Sequence, residues 1–217
     1  MHGAPGGRRC GGCGPKLAEK VKQHAEAIKV GEGMGEGVEM GPVISAKAKD
    51  RIVGLIDDAE KRGSKVVLDG RGLTVPGYEN GHFLGPTVLD DVPLDAPVYT
   101  EEVFGPVLAI VHADTYEEAL KIVNAQPFGN GSAIFTNDGG VARRFTLDVE
   151  AGMVGVNVPI PTPVAFYSFG GWKESLLGDT HIHGPEGVTF YTRAKAITER
   201  WPTEKTYAAT MSFQREE

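Results

Sequence analysis

An α/β fold, with an open, mostly parallel sheet and helices on both faces, is predicted for this chain by three observations. Apolar runs at 107–111 (VLAIV), 132–136 (SAIFT) and 153–158 (MVGVNV) are separated by segments of helical spacing. The runs read as continuous rather than alternating, the pattern of strands covered on both faces. The gaps between them are long enough for helical crossovers, which are right-handed in parallel sheets.

Composition bounds the rest. A chain of 217 residues can bury one good core, and 24% charged with 41% hydrophobic residues describes an ordinary globular protein. The net charge of -7 comes with no basic run, which argues against a nucleic-acid surface. No stretch reaches the roughly 20 apolar residues of a membrane span, and residues 1–14 lack the apolar region of a secretory signal. With only two cysteines, these features predict a cytoplasmic setting.

Taken in order, residues 1–14 (MHGAPGGRRCGGCG) are glycine-rich and without periodicity, so a flexible segment is expected. Cys10 and Cys13 form a C-x-x-C. A zinc half-site would need two further ligands, for which His181 and His183 are candidates on paper, and a redox pair should follow a strand that is missing here. A terminal tag without a role also fits, and no metal site is expected. Pro15 suits a first helical position, with Leu17, Val21, Ala25 and Ile28 as the apolar stripe and Gly31 as the stop. The loop 31–41 is glycine-studded but lacks the Lys-Ser/Thr of a phosphate-binding loop. Ser45 caps a second helix whose Ile52, Leu55, Ile56 and Ala59 share one face, and Gly63 ends it. Residues 66–68 form a short strand. Residues 83–92 form another, interrupted by Gly85 and Pro86 and therefore expected at an edge or bent.

The stretch 100–107 (TEEVFGPV) is the centre of the chain's organisation, because Gly105 and Pro106 turn the backbone into the apolar run. A carboxylate at the mouth of a strand can accept hydrogen bonds from a sugar diol, and a neighbouring Phe can lie against a heteroaromatic ring. The same residues also fit an exposed acidic turn with its Phe in the core. Thr115 and Glu118 form a capping box for the helix through Leu120 and Val123, and Asp138 caps one through Val141, Phe145 and Val149. Prolines at 159, 161 and 163 stiffen the loop after the third run, and Phe166, Tyr167, Phe169 and Trp172 come next. These aromatics are core, or they line a funnel for a small hydrophobic substrate at the carboxyl end of a strand. His181 and His183 read as surface residues of a glycine-rich connector. Residues 188–200 alternate as a strand does, which must close its own sheet or join that of a neighbouring subunit.

From about Pro15 to Trp201 the chain resembles the carboxyl-terminal, catalytic half of the aldehyde dehydrogenase family, most of all its coenzyme A-acylating methylmalonate-semialdehyde branch. The motifs carrying the resemblance are GPVI at 41–44, GPT at 85–87, EEVFGPV at 101–107, FGNG at 128–131 with AIFT at 133–136, GMVGVNVPIP at 152–161 and FGGWK at 169–173. The resemblance implies a partial catalytic domain over 15–187, an oligomerisation strand over 188–201 and a tail over 202–217. It implies NAD as cofactor, with Glu102 on the nicotinamide ribose and Phe104 against the nicotinamide, and coenzyme A as co-substrate. Phe166 and Phe169 would line the aldehyde entrance. Gly7, Arg8, Arg9 and Cys10 would be what remains of the segment bearing the nucleophilic cysteine. The family's NAD-binding half is missing, as is the buried strand that succeeds its nucleophile, so the chain alone is expected to oxidise a small aldehyde poorly or not at all. The implied assembly is a homo-oligomer through the last strand. A different expectation is a non-catalytic interaction module that pairs with full-length relatives through that strand.

Overall fold

A computed structural model of the chain describes residues 13–199 and 201. In chain order the elements are α1 (Cys13–Glu26), α2 (Ala46–Lys61), β1 (Lys65–Leu68), β2 (Thr87–Asp90), α3 (Pro97–Thr100) and β3 (Val107–Ala109). The remaining elements are α4 (Tyr116–Asn124), β4 (Phe128–Gly129), β5 (Gly131–Ile134), α5 (Gly139–Asp148), β6 (Met153–Val156), β7 (Trp172–Lys173) and α6 (Gly184–Tyr191).

Local chemistry sets most of these boundaries. Ser45 Oγ accepts from the Ala48 amide, Thr115 Oγ1 from Glu118 and Asp138 Oδ1 from Val141, so all three caps form as the sequence predicts. The predicted face of α2 is buried in full: Ile52, Leu55, Ile56 and Ala59 join Leu84, Leu89, Val92, Ala96 and Val98 in a first core. Burying a side chain such as Ile56 contributes about 1.5–3 kcal/mol. A second core gathers Tyr116, Ile134, Val141, Phe145, Val149 and Ala151 from α4, β5, α5 and the approach to β6.

The sheet differs from the single open one expected. Among the described residues the strands form a three-stranded sheet in the order β1-β2-β3 and two pairs, β5-β6 and β4-β7. The β2-β3 and β5-β6 pairs are parallel, as expected, whereas β1-β2 and β4-β7 are antiparallel. The α/β content therefore stands, and the continuous parallel sheet is corrected. Strand β2 is central rather than an edge. Pro86, which has no amide to donate, precedes it, and the ladder begins one residue later with the Thr87 amide on the Pro106 carbonyl at 2.8 Å.

The expected strand at 188–201 is also corrected. Residues 184–191 form α6, with Pro185 in its first turn, and 192–199 take no regular structure in the single chain. Pro185 pre-sets helical backbone, and the Thr189 and Thr192 hydroxyls donate to the Pro185 and Val188 carbonyls four residues back. A helix satisfies its backbone locally, whereas a strand needs a partner. Of the expected N-terminal segment 1–14, Cys13 and Gly14 already belong to α1; the remainder, with the expected tail at 202–217, lies outside the described residues.

Candidate functional site

The turn between α3 and β3 is held from below and bare above. Arg51 of α2 donates through Nη1 to the Val103 carbonyl at 2.9 Å and through Nη2 to the Glu102 carbonyl at 2.6 Å. Gly105 packs so tightly on the first core that a Cβ there would come within 2.5 Å of Ile52 Cδ1. Val103 points into that core. Phe104 takes a left-handed backbone, with φ 53°, and its side chain is left 80% exposed. Phe104 is thus presented to solvent rather than tucked into the core. Glu102 is exposed beside it, and no hydrogen bond or ion pair among the described residues engages its carboxylate.

The aromatic loop starts at the carboxyl end of β6. Asn157, with φ 57°, accepts from the Thr136 amide at 2.9 Å and donates to the Thr136 carbonyl at 3.0 Å, tying the ends of β5 and β6 together. From there the chain doubles back: Pro161 lies against Gly131 and Gly155. It arrives at the other end of the strands, where β7 pairs with β4 and Gly170 abuts Gly152 so closely that a Cβ on Gly152 would sit 1.9 Å from the Gly170 carbonyl oxygen. Lys173 Nζ closes this end, donating to the Asn124 and Gln126 carbonyls at 2.6 and 3.1 Å and pairing with Glu150 at 2.8 Å.

The expected placement at carboxyl strand ends is corrected by this path. The segment containing Phe169 is anchored where β5 and β6 begin, and Glu102 and Phe104 lie where β3 begins. Both groups thus belong to amino ends, of strands in different sheets. The long loop, not the strand before it, decides where its aromatics go.

Phe166 and Phe169 occupy different settings within the loop. Phe166 is exposed and packs on Tyr167 with centroids 4.6 Å apart, while Phe169 is half-buried and stacks on His183 at 4.5 Å with planes 5° apart. No ring contact, hydrogen bond or ion pair among the described residues joins either to Glu102 or Phe104. His181 Nδ1 lies 3.0 Å from Glu186 Oε2, and the His181 amide donates to the same oxygen at 2.7 Å, which holds the Glu186 carboxyl below its ordinary range. His181 pairs with Glu186 and His183 stacks on Phe169 within the loop. Cys10 itself lies outside the described residues.

Sequence reasoning missed three features. Nothing in the polar face of α2 marks Arg51 as the residue that would reach the turn. Asn157 carried a signal, since Asn tolerates left-handed backbone and ends a strand. Asp90, Asp91 and His112 come together at the carboxyl end of β2, but Lys65 already pairs with Asp91 at 2.6 Å.

Residues 12–197 match the model of the aldehyde dehydrogenase family. Malonate-semialdehyde dehydrogenase of Pseudomonas aeruginosa is 49% identical over 193 residues, which make up 89% of this chain and 39% of that protein. The acylating, mitochondrial methylmalonate-semialdehyde/malonate-semialdehyde dehydrogenase of Bos taurus is 46% identical over 190 residues, 88% of this chain and 35% of that one. A provisionally assigned methylmalonate-semialdehyde dehydrogenase from Sinorhizobium meliloti 1021, solved in complex with NAD, superposes with a TM-score of 0.84 at 48% identity, covering 87% of this chain and 38% of that one. The chain thus spans somewhat over a third of the length of these relatives. Among the described residues no helix is long and apolar enough to cross a membrane.

Proposed function

The chain belongs to the aldehyde dehydrogenase family, and from that premise we propose that it is part of the catalytic domain of an NAD-dependent, coenzyme A-acylating oxidoreductase acting on malonate or methylmalonate semialdehyde. The observation that carries the reading is the presentation of Phe104: a bare aromatic ring on left-handed backbone, pinned by Arg51, with an unengaged carboxylate two residues away. The exposed ring beside that carboxylate offers a flat apolar face that a heteroaromatic ring could cover.

The turn fits a nicotinamide nucleotide. Glu102 would accept from the ribose hydroxyls and Phe104 would lie against the ring; when bound, NAD supplies the hydride acceptor. Because Arg51 holds the backbone at Val103 and Glu102, little ordering entropy remains to be lost on binding. Cys10 would contribute the thiolate that bonds to the aldehyde carbon, dividing one difficult oxidation into easier steps. Coenzyme A, as co-substrate, would take the acyl group from that sulfur. Phe166 and Phe169 would line the aldehyde entrance, with the Phe169–His183 stack keeping one wall rigid. The setting proposed is cytoplasmic.

The test is oxidation of malonate semialdehyde by this chain with NAD and coenzyme A, followed as NADH formation, alone and co-expressed with the remainder of the Pseudomonas aeruginosa relative. Negligible turnover alone is expected. Turnover with the remainder should vanish with Cys10→Ala, and Glu102→Gln should raise KM for NAD several-fold. Robust turnover that survives Cys10→Ala would remove Cys10 from the mechanism.

A second reading has its own support. Ile197 and Trp201 are exposed large hydrophobics on the stretch after α6, which among the described residues takes no regular structure. Such a segment is suited to joining the sheet of a neighbouring subunit, in a homo-oligomer or as a non-catalytic module on a full-length relative. Thr192→Pro should abolish that association in a sedimentation or pull-down measurement; unchanged association would discard the pairing.

A further inference from the structure

The first turn of α6 gives its capping groups away. Such a turn is ordinarily capped by the side chains of its N-cap residue and of the third helical residue. The N-cap residue is His183, whose ring makes no hydrogen bond to the helix and lies flat on Phe169 instead. The third helical residue is Glu186, and its Oε2 reaches back past the N-cap to accept from the His181 amide at 2.7 Å and to meet His181 Nδ1 at 3.0 Å. A carboxylate only accepts, so Nδ1 carries the proton. Both side chains that could cap α6 are spent on the loop before it.

From there the contacts run on to the aromatics. The His181 ring packs against Gly170 with no room for a Cβ between them. The Glu186 amide donates to Ser168 Oγ at 3.2 Å. Gly184, on left-handed backbone with φ 69°, donates to the Ala165 carbonyl at 3.1 Å and sits too close to Tyr167 and the Ser168 amide to carry any side chain. Residues 165–170 therefore take their shape from 181–186. His181 Nε2 is buried and meets no partner among the described residues. A buried polar atom left unpaired is a cost, so the ring is kept for where it sits and not for its second nitrogen.

We propose that Glu186 is the positioning residue of the aldehyde entrance: through His181 and Ser168 it fixes Phe169 as an unyielding wall, and the wall limits the site to small aldehydes. The inference rests on the reading of Phe166 and Phe169 as that entrance. Its physical content is selection by overlap. A wall that cannot move rejects a bulky substituent, whereas one that can move admits it. The carboxylate is the point on which the wall depends, because among the described residues no other group engages the His181 amide or Nδ1.

The experiment has two arms. Hydrogen exchange of the intact chain reads the hold on the loop: Glu186→Ala should speed exchange at the His181 amide by about tenfold or more, and Glu186→Gln, which keeps one side-chain carbonyl, should speed it less. The chain co-expressed with the remainder of the Pseudomonas aeruginosa relative reads the wall, as the ratio of kcat/KM for malonate semialdehyde to that for benzaldehyde. That ratio should fall by about tenfold in Glu186→Ala and by less in Glu186→Gln, with KM for NAD unchanged. An unchanged ratio beside a freed His181 amide overturns the role at the entrance and leaves the proposed function standing. An unchanged His181 amide overturns the hold on the loop, and with it the proposal. Equal rises in KM for NAD and for the semialdehyde overturn it too, by making Glu186 a residue of general stability. Turnover missing from the unsubstituted complex overturns the proposed function and this inference together.

Discussion

Gly105 shows how little freedom the turn before β3 has. A Cβ would meet Ile52, a residue only 1% exposed in the first core, so Gly105→Ala should cost about 1–3 kcal/mol, read from urea midpoints at unchanged slope. Asn157 plays the matching role at the end of β6, with both side-chain atoms spent on Thr136. Asn157→Ala leaves that amide and carbonyl to solvent on left-handed backbone, and a loss of about 1–2 kcal/mol is expected in the same measurement. At this scale the chemistry of the site was partly legible. An acid and an aromatic before a Gly-Pro pair suggest a nucleotide contact, but that Phe104 faces outward depends on Arg51, which lies 52 residues from Val103 in sequence. No local signal could announce it.

The elements divide by how local their causes are. Helix α2 was readable to the residue: its cap, its buried face and its stop all come from spacing and side-chain type. Ile56, fully buried at the centre of that face, should cost about 2–5 kcal/mol when replaced by Ala, whereas Asp138→Ala at the cap of α5 should cost about 1 kcal/mol. Thermal denaturation of the two variants checks the ordering. The segment after Gly184 misleads for the opposite reason. Its alternation of Thr, Tyr and Phe suits a strand, but with no neighbouring strand in the single chain, a proline-started helix closes its hydrogen bonds first. The aromatic loop teaches the same lesson. Its three prolines announce stiffness, and only its path, back along β5 to the Gly152–Gly170 contact, shows which strand ends it serves.

At the scale of the whole molecule, ion pairs join segments that the two cores do not. Arg71, mostly buried, pairs with Asp57 and Glu60 of α2 and with Asp69, fastening the loop after β1 to the helix. Hydrogen bonds from Arg71 hold the Asp69 carboxyl below its usual range, and Lys65 does the same for Asp91. A depressed carboxylate stabilises the fold above its unfolded pKa, near 4, and that contribution is lost as pH falls through the lower folded value. Melting temperature should therefore hold on the neutral side and drop below about pH 4, and Asp69→Asn should flatten the drop. A melting curve of Asp69→Asn that parallels the wild type in acid would show that this network does not matter to acid stability. Hydrogen exchange should also resolve two protected units, one per core, rather than one, because β1-β2-β3 and β5-β6 form separate sheets. The kinds and order of the central elements, their caps and the family were determined by the sequence alone, since periodicity, capping and turn chemistry act within a few residues. The tertiary structure alone decided which strands pair, that the aromatic loop returns to amino ends, and that the described strands divide into separate sheets. Backbone pairing is settled between segments far apart in the chain, and no local pattern records which partner is present.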